Sequence, residues 1–477
     1  MKQLLITLTI FLTFFNSQLH GQKPSPSVIY STYYGGIGTD DADVLTIDTD
    51  GNTYLGCHSS SRYLPGADQF PYKLSGGMDA FVIKLNNKGS KVSYLTKLGG
   101  SKWDAIQGLV SDSTGNIYAV GTTYSSDFPV NQSGFQSNFG GKSDAFVVKI
   151  NPQGKVIWST LLGGSKDEDG RDIIIGSQGN IHVIGRTASK DFPTSSGALQ
   201  SKSSGGIDAF ICTFNPDGNL LSSTYLGGSG DDIGFSIKSD DLGQLYVAGT
   251  TNSIDFPIKN AIQSKHNGSD DVFLAIIDQI GSQISFSSYL GGAGTERLYS
   301  IDLDSLGNVF VMGVTNSLNY PTTKGSFQTN FGGARDAFIT KLNLQKKEVL
   351  YSTYLGGSKD DDPRNLVIDN KGNSFIVGET SSHDFPLVNN IQKNHFPRKQ
   401  DAFITMLDVH GSFLHFSTLF GGNGTDVFEG VTLGLDGTLT LSGASNSTDF
   451  PTTNPIQNVF SGGRFDMIVT RISIFTD

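Results

Sequence analysis

The chain has 477 residues with a formal net charge of −11, and its 59 glycines set against 15 prolines exclude a collagen or a proline-rich disordered chain. Charged residues make up 17% and hydrophobic ones 37%, a balance that excludes intrinsic disorder, and so many glycines exclude a helical bundle. The acidic balance, without an extended Lys/Arg cluster, argues against nucleic-acid binding.

In chain order, residues 1–21 come first. Lys2 followed by the apolar run 4–15 predicts a secretory signal peptide. The run is shorter than the ~20 residues of a spanning helix. The expected mature chain is exported, to the periplasm, the cell surface or the medium, without a transmembrane segment. Residues 22–27 are expected to form a short linker, and residues 28–477 one folded domain.

From residue 28 onward the sequence repeats. A Gly-Gly pair recurs at 35–36, 99–100, 163–164, 227–228, 291–292, 356–357 and 421–422. Two further marks keep the same period. One is Gly56, Gly121, Gly185, Gly249, Gly313, Gly378 and Gly443; the other is Asp79, Asp144, Asp208, Asp271, Asp336, Asp401 and Asp466. Within the period 99–163, strands are predicted over 104–112, 117–123, 144–151 and 156–162. They are rich in β-branched and aromatic residues and bounded by Gly, Asn and Asp. Four strands per period, seven times over, predict an all-β seven-bladed propeller. Segment 28–33 matches a fourth strand, whereas the last period stops after its third. The N-terminal strand is therefore expected to complete the last blade and close the ring, covering an otherwise exposed edge.

Residues 351–357 (Tyr-Ser-Thr-Tyr-Leu-Gly-Gly), Gly372-Asn373, Asp384-Phe385-Pro386 and Asp401-Ala402-Phe403 together resemble the bacterial SBBP, or β-propeller repeat, family. The resemblance covers about residues 28–475. It implies an exported or cell-surface protein and carries no catalytic residue.

Gly-x-Ser-x-Gly, His-Glu-x-x-His and phosphate-loop motifs are absent from the sequence. Cys57 and Cys212 fall two blades apart and are expected to be buried single thiols. Asp48-Thr49-Asp50-Gly51-Asn52 resembles the start of a calcium loop but lacks a downstream bidentate Glu, so at most weak calcium binding and no other cofactor is expected. The third-strand Asp is expected to cap backbone N–H groups. The Phe of Asp-Phe-Pro is expected to plug the space between blades. A recurring Gln (Gln69, Gln136, Gln200, Gln263, Gln328, Gln392 and Gln457) is expected to hold the long connection.

Four residues after each Gly-Gly the chain is always acidic: Asp40, Asp104, Glu168, Asp232, Glu296, Asp361 and Asp426. These seven are the candidate ligand-binding ring at the channel mouth, for a cation or a basic ligand. The competing reading makes each of them a cap for its own loop. The long second-to-third-strand connections and the Gly-Gly loops share one face, which varies at Arg398–Lys399, Tyr72–Lys73 and His266–Asn267. That face suits a protein or glycan partner. The expected function is a non-catalytic binding or scaffold module. The alternative is a carbohydrate-active hydrolase or lyase with blade-specific acid/base groups at the channel mouth.

Overall fold

The computed structural model describes residues 26–474, apart from 67–68, 71, 132–133 and 394–398. The expected signal peptide 1–21, most of the linker 22–27 and Arg398 lie outside the described residues. Among the described residues no helix is long and apolar enough to cross a membrane.

Blade two shows how the repeat folds. Its strands are Asp104–Ser111, Ile117–Thr123, Asp144–Ile150 and Val156–Leu162. The predicted strands overran by one residue at Asp112 and at Asn151. Both side chains instead accept turn N–H groups, Asp112 from Asn116 at 2.9 Å and Asn151 from Lys155 at 2.8 Å. The same antiparallel four-stranded sheet recurs seven times, with strands in sequence order from the axis outward in blades one to six. Blade seven takes Asp426–Leu433, Thr438–Ser445 and Asp466–Ser473, and its fourth strand is Ser27–Tyr34. Tyr33 stands opposite Ile468 in that pairing. The protein is a seven-bladed β-propeller, closed by its N-terminal strand.

The core is the set of spaces between blades. Tyr54, Val82 and Leu98 of blade one pack with Ile106, Ile117 and Phe146 of blade two. The second strands Ile117–Thr123, Leu245–Thr251 and Val309–Thr315 are buried at every residue, because both sheet faces are covered. Phe128 of Asp-Phe-Pro joins this packing as expected, stacked on Phe146 at 4.6 Å. Cys57 and Cys212 are buried free thiols.

The turn between third and fourth strands leans on the preceding blade. Gly89 lies on Tyr30, Gly154 on Tyr94, Gly218 on Trp158 and Gly411 on Tyr351, so closely that a Cβ would strike the ring. In blade seven the two strands come from opposite ends of the fold, and no such turn joins them. The corresponding space beside Phe416 of blade six is a cavity of about 720 Å³, lined in part by Met406, Phe413 and Ile474.

Candidate functional site

The seven acidic residues each open the innermost strand of a blade, and all seven are fully buried. Asp104 accepts from Gly100 N at 2.9 Å, from Ser125 Oγ at 2.9 Å and from the Thr123 hydroxyl. Asp361 repeats the set with Gly357 N, Ser382 and Thr380, and Asp40 with Gly36 N, Ser61 and Ser59. Glu168 and Asp232 accept from Gly164 N and Gly228 N, and Glu296 and Asp426 from Gly292 N and Gly422 N. Each carboxylate thus clasps its own Gly-Gly loop to its own second strand, and none of them lines the channel cavity. Burial pushes Asp104, Asp232 and Asp361 up to about 6.

The third-strand Asp caps the long connection, as in Asn267 N to Asp271 at 2.8 Å and Gly332 N to Asp336 at 2.7 Å. The recurring Gln accepts from the first Gly of the pair: Gly227 N to Gln200 at 3.1 Å, Gly356 N to Gln328 at 3.1 Å. Blade one departs, its Gln69 being exposed. On the same face Tyr72 and His266 turn inward, Tyr72 against Phe81 and His266 against Tyr289. Asp48 accepts from Asn52 N at 2.8 Å and from the Tyr54 hydroxyl at 2.9 Å, the work of a turn residue.

The repeat breaks at the axis. Each innermost strand carries a β-bulge three residues after its acid. In blades two to seven the repeat glycine's partner stands just before the bulge, as Gly121 pairs with Ile106 and Gly313 with Leu298; in blade one Gly56 pairs with Val44, just after it. A Cβ at Gly313 would meet the ring of Phe338 at 2.8 Å, so the position tolerates no side chain. The bulge turns one side chain per blade to the axis: Asp43, Gln107, Arg171, Phe235, Tyr299, Arg364 and Glu429. These seven line a central cavity of about 410 Å³ and comprise six residue types. The spacing is the repeat's own; the chemistry is not.

The wall is polar and internally paired. Arg364 reaches Glu379 at 2.5 Å and lies 3.7 Å from Glu429, with the Tyr299 ring beneath its guanidinium at 5.4 Å. Arg171 and Arg186 share Asp169, at 3.1 and 2.5 Å, and Arg171 lies over Phe235. His58 holds Asp43 at 2.8 Å. Burial raises Glu429 to about 7, with Asp43 pushing the same way and Arg364 opposing. Burial works against protonation of His58, yet Asp43, by charge and hydrogen bond, holds it up at about 9. At the mouth on the Gly-Gly face, Trp103 lies between His58 and Tyr124, with ring centroids 6.1 and 5.5 Å away.

The SBBP β-propeller repeat model matches residues 157–193, 223–257, 286–321 and 350–386. Each match runs from a fourth strand, through the acidic clasp, to the Pro of the next Asp-Phe-Pro, or of Asn319-Tyr320-Pro321 in blade five. The chain carries the SBBP β-propeller repeat. The regulatory protein FlaEY of Caulobacter vibrioides is 22% identical over 346 residues, 69% of this chain and 35% of that protein. The propeller repeat chain thus spans about a third of that relative's length. A protein of unknown function from Dyadobacter fermentans is similar at a TM-score of 0.42 and 9% identity, covering 94% of this chain and all of that one. The Pan2 WD40 domain of Neurospora crassa is similar at 0.47 and 10% identity, covering 95% and 98%.

The bulge residues and the Trp103–Tyr124 pair escaped the sequence reading, which followed the marks that recur. The signal was present in the opposite sense. The third position after each acid changes from blade to blade: Asp43, Gln107, Arg171, Phe235, Tyr299, Arg364 and Glu429.

Proposed function

We propose that this repeat protein is a non-catalytic binding module, exported and presented in the periplasm or at the cell surface, that engages its partner at the channel mouth on the Gly-Gly face. One observation carries the reading. The repeat is kept wherever the ring needs it and abandoned at the seven bulge positions that line the axis. A purely structural ring gains nothing from six different side chains there. Lys2 followed by the apolar run 4–15 supports export.

The test is a set of glycan and envelope-protein arrays probed with the parent chain and with an Arg171→Ala, Arg364→Ala double variant. Saturable binding by the parent, lost in a double variant that still melts cooperatively, is the expected result. Binding retained by the double variant would move the site away from the channel and overturn the reading.

A catalytic reading has one observation in its favour: Glu429, raised to about 7, stands near the carboxylate of Asp43. That is the pairing of a general acid with an ionised partner used on glycosides. Release of reducing ends from a polysaccharide, abolished by Glu429→Gln, would establish it in place of simple binding.

A further inference from the structure

Trp103 and Tyr124 are aromatic where the repeat has no use for an aromatic. In four other blades the residue at the position of Tyr124 caps the loop that Trp103 occupies in blade two. Asn252 accepts from Asp231 N, Asn316 from Thr295 N and Asn446 from Thr425 N, at 2.7–2.8 Å. Ser60 does the same for Thr39 N at 2.8 Å. Blade two gives up this cap, since a tyrosine ring offers no acceptor there. It sets out instead two rings at 74° to each other, 36% and 38% exposed, at the rim of the channel. Exposing them costs burial and relinquishing the cap costs a hydrogen bond, so the pair is explained by what it touches outside the chain.

Most charged groups next to this platform are already matched, and Asp41, buried beside them, is held toward its neutral form by burial and by the charge of Asp43. His58 pairs with Asp43, and Asp169 with both Arg171 and Arg186. A charged ligand would have to break one of these pairs and strand its partner. A neutral polyhydroxylated ligand has no such cost. Its hydroxyls donate to a paired carboxylate and accept from a paired guanidinium, while the C–H face of a pyranose lies on an exposed indole or phenol ring.

We propose that the Trp103–Tyr124 platform is a subsite for a neutral oligosaccharide, whose end enters the channel toward Asp43 and Asp169. The proposal rests on the binding-module reading and adds the ligand class and the residues that receive it.

The chain holds two tryptophans, and Trp158 is buried at 2% exposure, so a change in emission reports on Trp103. Full-length protein is titrated with cellohexaose, laminarihexaose and chitohexaose, and in parallel with hexagalacturonate and a hexaproline peptide. At least one neutral hexasaccharide is expected to shift the emission saturably. By calorimetry, Trp103→Ala and Tyr124→Asn should each weaken it roughly tenfold or more. Tyr124→Asn reinstates the loop cap of the sister blades, so its melting temperature should equal or exceed the parent's. Loss of binding there cannot be put down to unfolding. Silence with all three sugars overturns the proposal, as does preference for the galacturonate or the proline peptide, or binding that survives both substitutions. An array partner lost in the Arg171/Arg364 double variant but kept by Trp103→Ala would retain the binding module and discard this subsite.

Discussion

Asp466 and Asp40 face each other across Gly35: a Cβ on that glycine would lie 2.6 Å from an oxygen of Asp466 and 2.9 Å from one of Asp40. The same sandwich recurs at each blade junction, as with Asp79 and Asp104 about Gly99. The first Gly of every Gly-Gly pair is therefore the spacer between two buried carboxylates of neighbouring blades. Two such groups without a cation between them resist double ionisation.

This arrangement sets a pH dependence. Burial, with the charge of Asp40 adding to it, raises Asp466 to about 7, and burial raises Asp104, Asp232, Asp271, Asp336 and Asp361 to about 6. The folded chain binds these protons more tightly than the unfolded one. Their stabilisation is fully present below the unfolded carboxylate value near 4 and is lost as pH rises through about 6 to 7. The turn carboxylates Asp112 and Asp304 are shifted the other way, burial being outweighed by the hydrogen bonds they accept, so their contribution fails only below about pH 4. The melting temperature at fixed ionic strength should be several degrees higher at pH 5 than at pH 8, and Asp466→Asn should narrow the gap. A flat profile, or one rising toward pH 8, would contradict the carboxylate sandwich.

Ring closure gives a second expectation. Deleting residues 22–34 removes Ser27–Tyr34, whose Tyr30, Tyr33 and Tyr34 are at most 1% exposed. If the strand buries ~300 Å² of apolar surface, its loss costs up to about 7 kcal/mol. That is comparable to the ~5–15 kcal/mol of a whole domain. The milder Tyr33→Phe removes a hydroxyl that donates to Ser447 O and accepts from Phe450 N at 3.0 Å, at a cost of about 1–2 kcal/mol. Urea denaturation should show a cooperative but weakened transition for Tyr33→Phe and none for the deletion. An undiminished midpoint in the deletion would remove the N-terminal strand from its closing role.

The clasps give a third. Asn at position 104 keeps one acceptor oxygen but turns an amide donor toward N–H and O–H donors, so Asp104→Asn should lose about 1–3 kcal/mol. Asp232→Asn should behave alike. Calorimetric titration of the parent with calcium should give no heat, since the clasp oxygens are taken up by Gly N–H and hydroxyl donors. Heat that disappears in both variants would instead assign the ring to a cation.

Blade number, strand placement and ring closure were all legible because each depends on residues that recur. Gly-Gly and the clasp acid meet the same steric demand seven times, and Asp-Phe-Pro five times, with Tyr63-Leu64-Pro65 and Asn319-Tyr320-Pro321 in its place in blades one and five. The channel was not legible for the complementary reason. Reading 104–112 as a plain strand from its residue types leaves no slot for an extra residue, and the bulge at Gln107 is such a residue. It resets which side chains face the axis. Trp103 and Tyr124 stand in ordinary loop positions, and their meaning emerges only beside Asn252 and Asn316, which keep the cap in the sister blades. The clasp acids drew notice by their regularity, and that regularity belongs to the loops they hold.

Arg364 carries the last prediction. It joins three blades: its guanidinium reaches Glu379 of its own blade, lies 3.7 Å from Glu429 of blade seven and covers the ring of Tyr299 of blade five. Arg364→Ala strands two carboxylates in the channel wall. The arginine side chain is 27% exposed, so water repays part of the loss. A destabilisation of about 1–3 kcal/mol is expected, less than the ~3–5 of a fully buried pair. Glu429, already raised to about 7 with Arg364 opposing the shift, should rise further in the variant. At pH 5 Glu429 is protonated and misses its partner little; at pH 8 it must ionise without one. The loss measured by denaturant melts should therefore be larger at pH 8 than at pH 5, and Arg364→Lys should recover most of the difference. An equal loss at both pH values, unrecovered by Lys, would show that Arg364 acts through its packing on Tyr299 and not through its charge.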